Sequence, residues 1–188
     1  MDSGTSLVLA VAVAAGAGLG LWTAVAFNRL VRERNLMREG WSGIDVQLKR
    51  RRNLVPNLVE TVKGYGGHER QTLSEVTALR AEAPGDVRGT QDQENALTDH
   101  LKHLFAVAEA YPELKADRNY RQLQDLLAEI EDQIQMARRY YNGAVRNYNI
   151  RVEAFPSNVV ARLFGFRQAD FFQVETATDR AAPKVEIA

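Results

Sequence analysis

Three features of the chain predict an all-α protein with one N-terminal membrane span followed by an antiparallel up-and-down helical bundle. From Leu7 to Phe27 run 21 residues without a charge. Beyond them, apolar residues return at three- and four-residue spacing through most of the sequence, and no segment needs to be a strand. The strong breakers gather at Gly64-Tyr65-Gly66-Gly67, at Pro84-Gly85 and at Pro112, where they separate helices from one another.

Residues 1–6 are expected to form a short outer N-terminus and residues 7–27 the transmembrane helix. At about 1.5 Å per residue this stretch crosses a hydrocarbon core of about 30 Å. A cleaved signal peptide is the competing reading, because Ala24-Val25-Ala26 resembles a cleavage site. Against it, the preceding region offers Asp2 and no Lys or Arg. Arg29, Arg32, Arg34 and Arg38 follow the span at once, which predicts an outer N-terminus and a cytoplasmic C-terminal domain. Gly16 and Gly20 form a small-xxx-small pair, although a plain anchor explains them without a partner.

Past the span, Leu30, Met37, Trp41, Ile44, Leu48, Val55, Leu58 and Val62 keep a heptad rhythm, with Arg34 and Arg51 in the remaining seam positions. Pro56 removes one backbone donor and predicts a kink near Arg52, not a stop. A second helix is expected from His68 to about Ala83, through Leu73, Val76 and Leu79. Thr90 with Gln93 reads as a capping box opening a third, which carries Leu97, Leu101, Leu104, Ala108 and Tyr111 and closes at Tyr111-Pro112. The fourth runs from Tyr120 through Leu127, Ile134, Tyr141 and Tyr148 to Phe155. Residues 28–155 thus make the bundle, of four helices; because the second and third are about half as long as the others, three is the alternative.

Antiparallel helices return the chain towards the bilayer near Phe155. Residues 156–173 form an aromatic segment there, ahead of a flexible tail over residues 174–188. Phe155, Val159, Val160, Leu163, Phe164, Phe166, Phe171 and Phe172 are candidates for membrane or partner contact. Capping the open end of the bundle is the other reading of the same residues.

Little in the sequence carries chemistry. It has no cysteine, which excludes disulfides, thiolate nucleophiles and Cys-based metal sites. His68-Glu69 begins a zinc-protease pattern that Thr72 breaks. His100 and His103 lie one turn apart near Asp99 with no third ligand set by spacing. No catalytic triad or phosphate loop is present, and Glu129, Glu131 and Asp132 read as a solvated face. The expectation is a protein that is not an enzyme, with no cofactor, no metal and no small-molecule substrate.

Charge is balanced overall but uneven. Residues 28–64 hold nine Lys/Arg against four Asp/Glu, and the rest fifteen against twenty. Lys49, Arg50, Arg51 and Arg52 form the densest cluster and a candidate interaction surface, with pairing to acidic helices of the same chain as the alternative. No aromatics interleave it, so nucleic acid is not an expected partner. Asn57, Asn142 and Asn147 place polar groups close to the seams, as hydrogen-bonded specificity devices would.

Two stretches carry a family resemblance: Trp41-Ser42-Gly43-Ile44-Asp45-Val46-Gln47-Leu48-Lys49-Arg50-Arg51 running into Leu54-Val55-Pro56-Asn57-Leu58-Val59-Glu60-Thr61-Val62, and Tyr140-Tyr141-Asn142 through Tyr148-Asn149 to Phe155-Pro156-Ser157-Asn158. Together they resemble the LemA family over roughly residues 20–173, with Trp41, Pro56, Asn57, Tyr141, Asn142, Tyr148 and Asn149 as structural motif positions. The resemblance implies a short outer N-terminus, one span and a helical bundle, with no established catalytic activity. Some members look like partners of membrane proteases of the HtpX type, and a related branch belongs to magnetosome membranes. Those associations imply a scaffold or adaptor role. The long seams, the lack of catalytic groups and the aromatic segment near the bilayer make the expected function a membrane-anchored scaffold that self-associates and binds another membrane protein. The expected partners are a second copy of the chain, membrane lipid and a membrane protein such as a protease; lipid binding or membrane remodelling through the aromatic segment is the alternative function. The tail after Gln173 resembles nothing in the family.

Overall fold

Long runs of good helix formers, few internal breakers and side-chain caps at the turns make this chain helical throughout its regular elements. The structure, a computed structural model, describes residues 3–64 and 86–173. Among them lie α1 (Ser3–Lys63), α2 (Val87–Glu109), α3 (Pro112–Ala116), α4 (Arg118–Glu153) and α5 (Ser157–Leu163), with no strand. The expected helix from His68 to Ala83 and the expected tail from residue 174 lie outside the described residues.

Helix α1 joins the apolar stretch to the first seam without interruption and continues past Pro56, which is not a stop. Helix α2 begins earlier than the sequence suggests. Its N-cap is Asp86, whose carboxylate accepts from the Gly89 N–H at 3.1 Å. Thr90 is already inside the first turn and buried, its hydroxyl donating back to the Asp86 carbonyl at 2.9 Å, so the capping box assigned to Thr90 and Gln93 is replaced by an Asp cap. Pro112 opens α3 at a position where a missing N–H costs nothing. Asp117 then caps α4 by accepting the Tyr120 N–H at 2.9 Å.

The contacts divide the chain into two compact units, to which α1 and α4 both contribute: residues 1–39 with 141–169, and residues 40–140 with 170–188. The second unit has the bundle core expected from the seams. Val55, Leu58, Val59 and Val62 of α1 pack with Leu97, Leu101, Leu104 and Ala108 of α2, Leu114 of α3 and Tyr120 and Leu127 of α4. Trp41 meets the fully buried Phe172 edge to face, with ring centroids 5.5 Å apart.

In the first unit, Ala26 and Leu30 of α1 are buried with Tyr148 of α4, Val160 and Ala161 of α5 and Phe166 beyond it. N-terminal to that cluster α1 is bare: its most apolar stretch has no residue buried, and Leu7, Val8, Leu9, Val11, Val13, Leu19 and Leu21 are all exposed. A helix long and apolar enough to span a membrane, presenting its side chains outward along that length, is consistent with a single-pass membrane protein. Among the described residues, a Cβ added at Gly16 or Gly20 would meet no packing atom within 4 Å.

Candidate functional site

The aromatic segment after α4 is built as a short hook in the first unit. Helix α4 ends at Glu153, and the Ser157 hydroxyl lies within donating distance of Arg151 O in its last turn, at 2.7 Å, and of Ala154 O just beyond it, at 2.9 Å. The Phe155–Pro156 peptide between the two helices is cis. Helix α5 closes in a Schellman motif. Gly165, at φ +71°, takes the left-handed position that disfavours a Cβ; its N–H reaches Arg162 O, and the Phe166 N–H reaches Ala161 O at 2.9 Å.

That turn folds Phe166 back onto α1. Phe27 meets the rings of Phe164 and Phe166 edge to face, with centroids 4.9 and 5.6 Å away. The Arg34 guanidinium lies 5.0 Å from the centre of the Phe166 ring. Asn149 of α4 then clamps the outgoing strand of chain: its amide donates to Ala169 O and its carbonyl accepts the Ala169 N–H, each at 2.9 Å. Burial beside this cluster pushes the Tyr148 phenol above its ordinary pKa, against the opposing pull of Arg34 and Arg38.

The eight apolar candidates of this region separate into two sets. Val160, Phe166 and Phe172 are buried, so membrane or partner contact does not apply to them; their place in the fold is internal packing. Phe155, Val159, Leu163, Phe164 and Phe171 are exposed, Phe155 at 82% and Leu163 at 74%. Internal packing therefore accounts for the first set, and the second is left on the surface. The exposed members Phe155, Val159, Leu163 and Phe164 belong to the unit whose core includes Ala26, at the end of the charge-free stretch of α1.

The basic cluster also divides. Lys49 is exposed and pairs with Asp45 one turn back at 2.7 Å, and Arg50 donates to Gln47. Arg51 is buried, as its seam position required. Its guanidinium donates to the Thr98 hydroxyl at 2.7 Å and lies 3.6 Å from both Glu94 and Glu131, while Arg52 lies 3.6 Å from Glu94. Two of the four residues proposed as an interaction surface are thus internal counter-ions. Glu94 is fully buried, and among the described residues neither carboxyl oxygen has a hydrogen-bond donor. Burial pushes this carboxyl above the usual carboxylate range and Glu131 adds to the rise, outweighing Arg51 and Arg52.

Of the motif positions, Trp41, Tyr141 and Tyr148 pack inward, Asn142 is half-buried, and Asn149 is the clamp described above. Asn57 is exposed and Asn147 likewise, so neither is a buried seam device. His100 and His103 sit on α2, and no three His, Asp or Glu side chains form a metal-holding group among the described residues. His68 falls outside them.

The model of the LemA family matches residues 40–187, so the match includes the tail after Gln173 and corrects the expectation that it lies outside the family. The chain is similar to magnetosome protein MamQ 2 of Paramagnetospirillum magneticum, 28% identical over 166 residues, covering 73% of this chain and 61% of that protein. Magnetosome protein MamQ of Magnetospirillum gryphiswaldense is 24% identical with the same coverage. The match thus spans 61% of the length of these magnetosome relatives. Protein LemA of Metamycoplasma hominis is 30% identical over 152 residues, covering 78% of this chain and 68% of that one. With a family match over most of its length and a relative of that name at this identity, the chain belongs to the LemA family.

Proposed function

We propose that this protein is a non-catalytic, membrane-anchored helical scaffold that self-associates and docks another membrane protein through the hook at the foot of its first unit. One observation carries the reading. Phe155, Val159, Leu163 and Phe164 are left exposed in the unit whose core includes Ala26 and Leu30, where the charge-free stretch of α1 ends. Large apolar side chains held by a Schellman turn and an asparagine clamp are costly to leave in water, and at the bilayer surface they are matched by a partner or by lipid. Relatives named for the magnetosome suit a role at a membrane. A membrane protease of the HtpX type is one client that fits an adaptor of this kind. Lipid binding or membrane remodelling by the same residues is the second reading, favoured by their closeness to the span.

The test is cross-linking in intact cells, followed by mild solubilisation and mass spectrometry, for the wild type and a Phe155→Glu/Leu163→Glu variant. Both sites are exposed, so the variant should fold and remain anchored. The wild type should be recovered with itself and with one defined membrane protein, and the variant should lose that second partner. Identical cross-links from both would remove the hook from the docking role; a wild type recovered with lipid alone would transfer it to the second reading.

A further inference from the structure

A cavity of about 350 Å³ opens in the first unit between α1 and the start of the hook. Its wall changes character along α1. Trp22 and Val25 come from the last turns of the charge-free stretch, and Arg29 is the first charge after it. Arg151, Pro156 and Ser157 complete the other side. Apolar surface from the charge-free stretch therefore continues directly into two guanidinium groups.

From this arrangement we infer that the cavity is a binding site for an acidic phospholipid, with the phosphodiester held by Arg29 and Arg151 and the acyl chain lying along Trp22 and Val25. The inference rests on the reading of residues 7–27 as a span. Guanidinium groups match phosphate oxygens two at a time, and Trp favours the interfacial layer. Charge selects the headgroup. The Arg151 Nε is paired with Glu33 at 3.1 Å, whereas Arg29 is exposed, so two arginines face one glutamate and the site carries a net positive charge. A phosphodiester that brings no ammonium of its own neutralises it; a zwitterionic lipid brings a cation back into the same space. The volume takes a headgroup and its glycerol, leaving the chains in the bilayer.

The chain has two tryptophans, so a Trp41→Phe background leaves Trp22, in the cavity wall, as the sole tryptophan, excited selectively at the red edge of its band. The full chain would be reconstituted into phosphatidylcholine vesicles carrying a minor fraction of dibromo-phosphatidylglycerol or, in parallel, dibromo-phosphatidylcholine. The expected result is quenching of Trp22 by the acidic lipid well beyond its mole fraction, reversed by excess unbrominated phosphatidylglycerol and not by inorganic phosphate. Arg29→Gln/Arg151→Gln should weaken this preference by about tenfold, while Arg32→Gln leaves it unchanged. Glu33→Gln breaks the same ion pair as Arg151→Gln yet raises the charge of the site, so it should keep or strengthen the preference. Quenching in proportion to mole fraction, reversal by inorganic phosphate, or a Glu33→Gln variant that fails like the double arginine variant each overturns the inference while leaving the span intact. No quenching by either brominated lipid would place Trp22 outside the bilayer and overturn the span with it.

Discussion

Glu94 and Arg51 show how a single buried charge is tolerated in a helical core. Two arginines stand 3.6 Å from the Glu94 carboxyl, beyond hydrogen-bond reach, so the attraction is coulombic and the desolvation penalty is only partly offset. The raised pKa has a definite consequence for stability. A carboxyl that holds its proton more tightly in the native state than in the unfolded chain makes the native state the greater proton binder between the two pKa values. Its stabilising contribution is complete below the ordinary carboxylate range and is lost as pH rises through the raised native value. Thermal unfolding of the detergent-solubilised chain, followed by circular dichroism from about pH 5 to about pH 8, should therefore show the wild type losing stability relative to Glu94→Gln as pH increases. A constant difference between the two would mean that Glu94 titrates normally and that its arginines fully solvate it. The seam rhythm located Arg51 in the sequence, since a charge at that register must be buried. Glu94 was not legible, because a lone glutamate on an amphipathic helix reads as surface until the packing of its neighbours is known.

At the scale of elements, the long seams were legible and the short elements were not. Leu58 and Leu104 announce their helices by spacing, and both are buried in the bundle core. Helices α3 and α5 have five and seven residues, too few for a period to register against local noise. For α5 one sign was present: Gly165 between two phenylalanines suits the left-handed turn after a helix, and its partner signal, Phe166 folding back onto Ala161 O, needs the structure to be seen. The same limit applied to Asn149, whose motif position was evident and whose task was not. Its two hydrogen bonds to Ala169, beside the one Gln168 donates to Glu153, tie the outgoing chain to α4 in this unit. Asn149→Ala removes both and leaves two half-buried backbone groups to find water, a loss of about 1–3 kcal/mol confined to the hook. Trypsin cleavage after Arg167, an exposed residue within the clamped segment, should accelerate several-fold with helical content unchanged. Unchanged cleavage would show that the Phe166 contacts with Phe27 and Arg34 hold the hook without the clamp.

At the scale of the whole molecule, the side of the membrane that receives the helices after the span is a prediction from the sequence, through a bias that acts before folding. Arg29, Arg32, Arg34 and Arg38 follow the charge-free stretch, whereas Asp2 precedes it. Positive residues close to a span resist translocation while the chain inserts. That Arg34 is later drawn against Phe166, and Arg51 and Arg52 against Glu94, does not weaken the argument, because none of those contacts exists when orientation is decided. The absence of native cysteine makes the consequence directly measurable. A Ser3→Cys chain should react with a membrane-impermeant maleimide in intact cells. A Ser42→Cys chain, altered at an exposed position of α1 beyond the span, should react only after lysis. The reverse pattern would put the helical units outside the cell. The basic run after the span would then act at the outer headgroups, and any client protein would have to present its docking surface on that side.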